Sequence, residues 1–319
     1  MVRSGHIAFS PGTWATASST SVALSIRTEL HSADTRDGGQ NGTCPVVEWA
    51  QTVDDRQGRA RRASQMVETA EPLHVVKTKY LFLILLYYLR PSLVLDIGSL
   101  DGADSLRFRK MLPDATIFAF EANPYLYKTM IDDPRLAAAR INIVNCIVSP
   151  KKGVARFYIS KDSASGQSSG NRGTSSLLRR SGDPDVAEVI ELPTCAIDQY
   201  LGDAGSAALW IDVEGAGYEV LSTAETVAEK VAVIHIEGEL KPKWQNQKLK
   251  PDIANLAARL GFAFVAHSRN AEQQDMVFVN NGILKTRPEL VRRALFLTRL
   301  HGPFFARYLT MMPEIWASS

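Results

Sequence analysis

Two groups of residues in this chain have the types and spacing to do chemistry. The first is Asp96-Ile97-Gly98-Ser99-Leu100-Asp101-Gly102, joined by Glu121 at the end of the next apolar run. Ligands of open α/β sheets bind at the carboxyl ends of strands, and an acid one strand further on commonly accepts two hydrogen bonds from a ribose diol. Glycines in such a turn let backbone approach a ligand closely. The pattern predicts a nucleoside-type cofactor site. The second group is Asp212, Glu214, His235, Glu237 and Glu239, at or near the ends of two later apolar runs.

The turn discriminates between cofactors. A dinucleotide site calls for G-x-G-x-x-G with a helix dipole on the pyrophosphate. Here the glycines are spaced G-x-x-x-G, and Asp101 sits between them. That acid repels an anion and tolerates a cation. S-adenosylmethionine has a nucleoside, a positive sulfonium and no phosphate, so the turn favours it over NAD. Asn123-Pro124-Tyr125 looks like part of the N-P-P-Y signature of nucleic-acid amino-methyltransferases. That signature belongs after a fourth strand, where this chain carries Asp212-Val213-Glu214-Gly215.

An alternation of strand and helix positions these groups. An apolar helix over 73–89 is stopped by Arg90-Pro91. Strands follow over 92–98, 116–122 and 141–148, with a helix over 103–112 and another opening at Pro124. Residues 154–192 break the rhythm with two strands around the Gly/Ser-rich segment 161–187, read as a mobile insertion and a lid over the acceptor. Strands over 208–215 and 231–239, a helix over 251–261 and a closing antiparallel hairpin complete the pattern. Continuous apolar strands separated by helices predict a doubly wound α/β sheet, mostly parallel, with an antiparallel edge.

Composition bounds the rest. The chain has 319 residues, 45% hydrophobic and 22% charged, which excludes a wholly disordered protein. Thirty-six basic against 34 acidic residues provide no field for nucleic acid as a partner. Cys44, Cys146 and Cys195 are too few and scattered for a disulfide scaffold or zinc cluster, which makes a reducing cytoplasm the default location. The longest apolar run, Tyr80 to Leu89, is too short for a membrane span. Residues 1–65 read as a disordered extension, and 66–285 as the catalytic domain. Residues 286–319 form a basic amphipathic helical tail, packed on the domain or offered to a membrane surface.

These motifs together resemble the FkbM-type family of class I S-adenosylmethionine-dependent methyltransferases, over about residues 92–281. The family shows D-x-G-A-N-x-G, F-E-P-N-P, T-L-D and K-x-D-x-E-G followed by E-V-L. This chain has Asp96 to Gly102, Phe120-Glu121-Ala122-Asn123-Pro124, Thr194 to Asp198, and Ile211-Asp212-Val213-Glu214-Gly215 with Glu219-Val220-Leu221. Thr174 to Leu177 resembles the family's Ser-rich segment. Three departures stand out: Leu100 for Asn, Ala122 for Pro and Trp210 for Lys.

The resemblance implies a Rossmann-like sheet of order 3-2-1-4-5-7-6. It implies O-methyl transfer to a hydroxyl of a sugar, glycolipid or natural product. On that footing Asp96, Gly98, Ser99, Asp101, Gly102, Glu121, Ala122 and Asn123 serve the cofactor, with Asn145, Cys146 and Val148 beside the adenine. Asp212, Glu214, Glu237 and His235 are the catalytic candidates. Because Asp212 and Glu214 alternate, both face one pocket only if the strand has ended before them. Carboxylates at 212, 214, 237 and 239 offer the oxygens that Mg²⁺ prefers. Acidic clusters also arise without metals, so no metal ligand is assigned. The alternatives are an NAD-binding oxidoreductase and a non-catalytic module that retains the fold.

Overall fold

The computed structural model describes residues 75–161, 173–182, 186–202 and 204–300. The expected extension 1–65 and the end of the tail lie outside the described residues. In chain order the first half holds α1 (Thr78–Leu89), β1 (Leu93–Ile97), α2 (Ala103–Met111), β2 (Thr116–Phe120), α3 (Pro124–Ile131), α4 (Pro134–Ala138), β3 (Asn142–Val144), β4 (Ile147–Val148) and β5 (Val154–Ser160). The second half holds β6 (Val186–Cys195), α5 (Asp198–Leu201), β7 (Ala207–Ile211), α6 (Gly217–Ser222), a 3₁₀ turn (Glu225–Lys230), β8 (Val231–Glu239), α7 (Lys250–Arg259), β9 (Phe262–His267), β10 (Gln273–Asn280) and α8 (Asn281–Thr286). A last helix, α9, runs over 288–300.

Seven strands form one sheet in the order β3-β2-β1-β7-β8-β10-β9. Numbered within that sheet alone, the order is the predicted 3-2-1-4-5-7-6, and β10 is antiparallel to both its neighbours. All five residues of β1 and of β7 are buried, as strands covered on both faces must be. Their side chains alternate between two cores. Val94, Ala208 and Trp210 pack with α1 and α2, whereas Leu95, Leu209 and Ile211 pack with α6 and α7. The chain leaves β1 toward β2 and β3, and leaves β7 toward β8. The sheet therefore reverses direction between β1 and β7, where crevices open at the strands' carboxyl ends.

Helix α1 is apolar on every side because it is buried on every side, from Leu81 through Leu86. It begins at Thr78, later than the sequence suggests, and ends at Arg90, whose left-handed backbone (φ 49) precedes Pro91. Helix α9 adds Val291, Ala294 and Leu295 to the same core and leaves Phe296 and Leu300 exposed. Among the described residues no helix is long and apolar enough to cross a membrane.

Two expectations need correction. The strand predicted over 141–148 splits into β3 and β4 around Asn145 and Cys146, because β4 leaves the main sheet. It pairs instead with β6, which forms an antiparallel hairpin with β5. The pairing of Val148 with Cys195 brings Cys146 to Cys195, and the two are disulfide-bonded with Cα atoms 6.2 Å apart. Cysteines 49 residues apart look scattered in sequence, but the small sheet makes them neighbours.

Candidate active site

The turn after β1 meets the turn after β7 at Gly98. The Asp212 N–H donates to the Ile97 carbonyl at 2.9 Å. Gly98 has φ +86, and a Cβ there would stand 2.0 Å from the Asp212 carbonyl oxygen. Glycine is thus demanded by neighbouring backbone, and its bareness also leaves the turn open to a cavity of about 260 Å³ that it lines. Glu121, Ala122, Cys146 and Val148 line the same cavity, as do Asp212 and Glu214.

Glu121 is 7% exposed. Its Oε2 accepts the Leu100 N–H at 2.9 Å and its Oε1 accepts the Asn123 N–H at 2.8 Å. Burial pushes its carboxyl up to about 7 against the pull of those two bonds, and Asp96 adds to the rise. Each oxygen keeps a lone pair for a further donor. The Gly98 and Ser99 N–H groups are spent on the Phe120 carbonyl, so the carboxylate is the conspicuous acceptor on this wall.

Other predicted cofactor residues lie behind that wall. Asp96 is buried, and its Oδ2 accepts the Ser99 and Ser105 hydroxyls at 2.7 and 2.5 Å. Burial raises its carboxyl to about 7, with the two serines opposing the shift. The Asp101 carboxylate accepts the Ala103 N–H, tying the turn to the start of α2. Gly102 (φ +74) lies against Leu136. Asn123 caps α3 through the Tyr125 N–H, and the Asn145 amide donates to the Glu121 and Ala122 carbonyls. These residues shape the site; the cavity walls do not include them.

Strand β7 ends at Ile211, so the period-two alternation no longer separates Asp212 from Glu214. Asp212 faces the open cavity yet is ringed by protein. That desolvation raises its carboxyl to about 6, with Asp275 and Asp104 pushing the same way and Lys79 opposing. Glu214 rises to about 7 through burial and the nearby Glu239 and Asp212. Glu237 stands opposite Asp275 in the β8–β10 register. Burial, then Asp212 and Glu214, push it up to about 9.

His235 is placed elsewhere. Its ring stacks on Trp210 at 3.7 Å between centroids, and neither ring nitrogen has a hydrogen-bond partner among the described residues. Burial, with Lys79 adding, lowers it to about 3, so the ring is neutral and part of an aromatic wall with Phe82. Trp210, which stands at the family's Lys position, belongs to that wall. The ammonium of Lys79 in α1 lies 5.6 Å over its ring and 2.6 Å from Asp104. A lysine charge therefore reaches this end of the site from another element.

Sequence patterns missed Lys79, Asp275 and Phe157, which only tertiary packing brings here. The segment 173–182 of the predicted lid is described, and Ser175, Ser176 and Leu177 line the cavity. It pairs with Tyr158 on one side and with the Lys243–Gln245 backbone on the other. The Ser176 hydroxyl also donates to the Glu214 carbonyl at 2.5 Å. The remaining residues of that insertion lie outside those described.

Leu100 lines the cavity with φ 59, a left-handed backbone that costs a branched residue about 1 kcal/mol and that asparagine adopts readily. Leu100→Asn is therefore expected to stabilise the protein by about 0.5–1 kcal/mol. Thermal melts should show a small rise in Tm; a fall would mean that the leucine's packing outweighs its backbone strain.

A family model described as a methyltransferase FkbM domain matches residues 96–264, more than half of the chain. A curated relative, the 2-O-methyltransferase NoeI of Sinorhizobium fredii (strain NBRC 101917 / NGR234), is 27% identical over 160 residues. The match covers 45% of this chain and 62% of that protein. Among solved structures, magnesium protoporphyrin IX methyltransferase (ChlM) from Synechocystis PCC 6803 is 12% identical, with a TM-score of 0.36. It covers 73% of this chain and 86% of its own. The N-terminal domain of EvdMO1 is 12% identical, with a TM-score of 0.37, covering 71% of this chain and 97% of its own.

Proposed function

The chain belongs to the FkbM methyltransferase family, and from that premise we propose that it transfers a methyl group from S-adenosylmethionine to a hydroxyl oxygen of a sugar, glycolipid or natural product. One observation carries the proposal. A single cavity is lined both by Gly98 and Glu121 and by Asp212 and Glu214.

The residues present fit the cofactor. A buried carboxylate with spare lone pairs suits a ribose diol, and a turn without a side chain at Gly98 leaves room beside it. Ala122, Cys146 and Val148 offer an apolar slot for the adenine. The Asp212 and Glu214 carboxyls on the same cavity suit a sulfonium, which when bound supplies an activated methyl carbon. Asp212 would hold the acceptor hydroxyl and take its proton as the oxygen–carbon bond forms and the carbon–sulfur bond breaks, leaving S-adenosylhomocysteine. A carboxyl near 6 is ionised at neutral pH and basic enough for that task. Alignment of the acceptor oxygen at about 3 Å from the methyl carbon is the larger part of the work. Phe157 and the 175–177 segment also line the cavity, where they would shield the reacting atoms from water. His235 is left out of the catalytic set as packing for Trp210.

The relative named as a 2-O-methyltransferase supports oxygen as the acceptor atom. We place the chain in the cytoplasm as part of the same proposal. The test is incubation with methyl-labelled S-adenosylmethionine and a panel of hydroxylated sugars, glycolipids and polyketides. The label is expected in an O–CH₃ group by NMR. Label on nitrogen or carbon would overturn the choice of acceptor atom.

A further inference from the structure

We propose that Glu214, Glu237 and Glu239 form a binding site for a divalent cation of the magnesium class, beside the acceptor end of the cavity. One carboxylate oxygen from each lies within 4.8 Å of the others. Oxygens held by one hard cation at 2.0–2.6 Å are separated by up to about 4–5 Å, so this spacing needs little adjustment. The fold produces the arrangement directly. Glu237 and Glu239 are two residues apart on β8 and share a face. Glu214 follows β7, the parallel neighbour of β8, past the Ile211–Ile236 pair.

A second observation points to a ligand. Glu239 is only 2% exposed; the Gly215 N–H and the Gln247 side chain reach its carboxylate, and its Oε1 is still left without a hydrogen-bond partner among the described residues. A buried carboxylate oxygen without a donor is left unsatisfied unless a cation or a proton meets it. Two other glutamates each bring an oxygen within 4.8 Å of this carboxylate, so one divalent ion among them relieves the mutual repulsion of all three.

The surroundings resemble the outer support of a metal site. The Gln273 amide donates to Glu237 Oε2 at 3.0 Å, and Lys243 Nζ donates to Gln273 Oε1 at 2.9 Å. That chain fixes the orientation of one ligand, as second partners do around metals. Glu214 alone of the three lines the cavity, so the cation would stand at its edge with open positions toward the acceptor. Its value in methyl transfer, which rests on the function proposed above, is to hold the acceptor oxygen and ease loss of its proton. The binding itself does not depend on that function.

The experiment titrates the full chain with Mn²⁺ alone, following the free-ion signal by electron paramagnetic resonance. Terbium(III) luminescence through Trp244 is a second readout, because that ring packs on Gly215, next to Glu214. One Mn²⁺ per chain is expected, displaced by excess Mg²⁺. Glu239→Gln and Glu237→Gln should each weaken binding at least ~10-fold in a chain that still melts cooperatively. If the buried Glu239→Gln does not fold, the half-buried Glu237 variant carries the test. No saturable binding, or wild-type affinity in the folded variants, overturns the proposal. S-adenosylhomocysteine titrated in parallel separates the two claims. Mn²⁺ binding without it leaves the cation site standing and removes the methyltransferase role; the reverse removes only the cation site.

Discussion

Asp212→Asn should lower kcat by about 10²–10⁴-fold, the usual contribution of a positioned general base. The amide keeps the size of the side chain and cannot take a proton. The Asp212 backbone N–H bond to Ile97 is independent of the side chain, so the turn should keep its shape. Cofactor affinity is accordingly expected to stay near wild type. A pH profile of the wild type sharpens the test. Although Asp212 is exposed toward the cavity, desolvation by the surrounding protein, with Asp275 and Asp104 adding, raises this carboxyl from 3.8 to about 6, so the group is ionised above that value and protonated below it. The rate should rise with pH through about 6 and then level off. An Asn variant with wild-type kcat would show that alignment alone suffices and that the proton leaves by another route.

Gly98→Ala is the second large effect, and it falls on stability. The added Cβ would meet a backbone oxygen at 2.0 Å, and backbone cannot turn aside as a side chain can. The substitution also places a side chain at φ +86. Overpacking and left-handed strain together are expected to cost about 3–5 kcal/mol. Gly102 provides the control. It too has positive φ, but a Cβ there meets the side-chain end of Leu136, which can shift. Gly102→Ala should therefore cost about 1–3 kcal/mol less than Gly98→Ala in denaturant unfolding. Equal losses would mean that backbone conformation, not the contact between the β1 and β7 turns, decides the need for glycine.

The sheet was legible because its strands are short continuous apolar runs and its helices are bounded by Pro and Gly. The late hairpin was legible from the lack of a helix between its strands. The lining of the candidate cavity was legible as far as strand ends announce it: Gly98, Glu121, Asp212 and Glu214 all lie there and all line it. What sequence could not separate was a residue that faces the cavity from one that builds the wall behind it. Asp96, Ser99 and Asp101 sit in the same motif as Gly98, yet their side chains turn inward or cap α2. His235 had a suitable type and position, but its environment is set by Trp210 and Phe82, one from a neighbouring strand and one from a distant helix. Lys79 and the Cys146–Cys195 pair carry no local signal at all. Each depends on contacts between segments far apart in the chain.

The central claim is that this cavity takes S-adenosylmethionine through Glu121. Titration calorimetry with S-adenosylhomocysteine, with NAD as the competitor ligand, tests it most directly. Saturable binding of one equivalent is expected for the first and none for the second. Glu121→Ala should weaken that binding by about 1.5–3 kcal/mol, the scale of hydrogen bonds to a charged group. Binding of NAD in preference, or a Glu121→Ala protein that folds and binds S-adenosylhomocysteine as well as wild type, would contradict it.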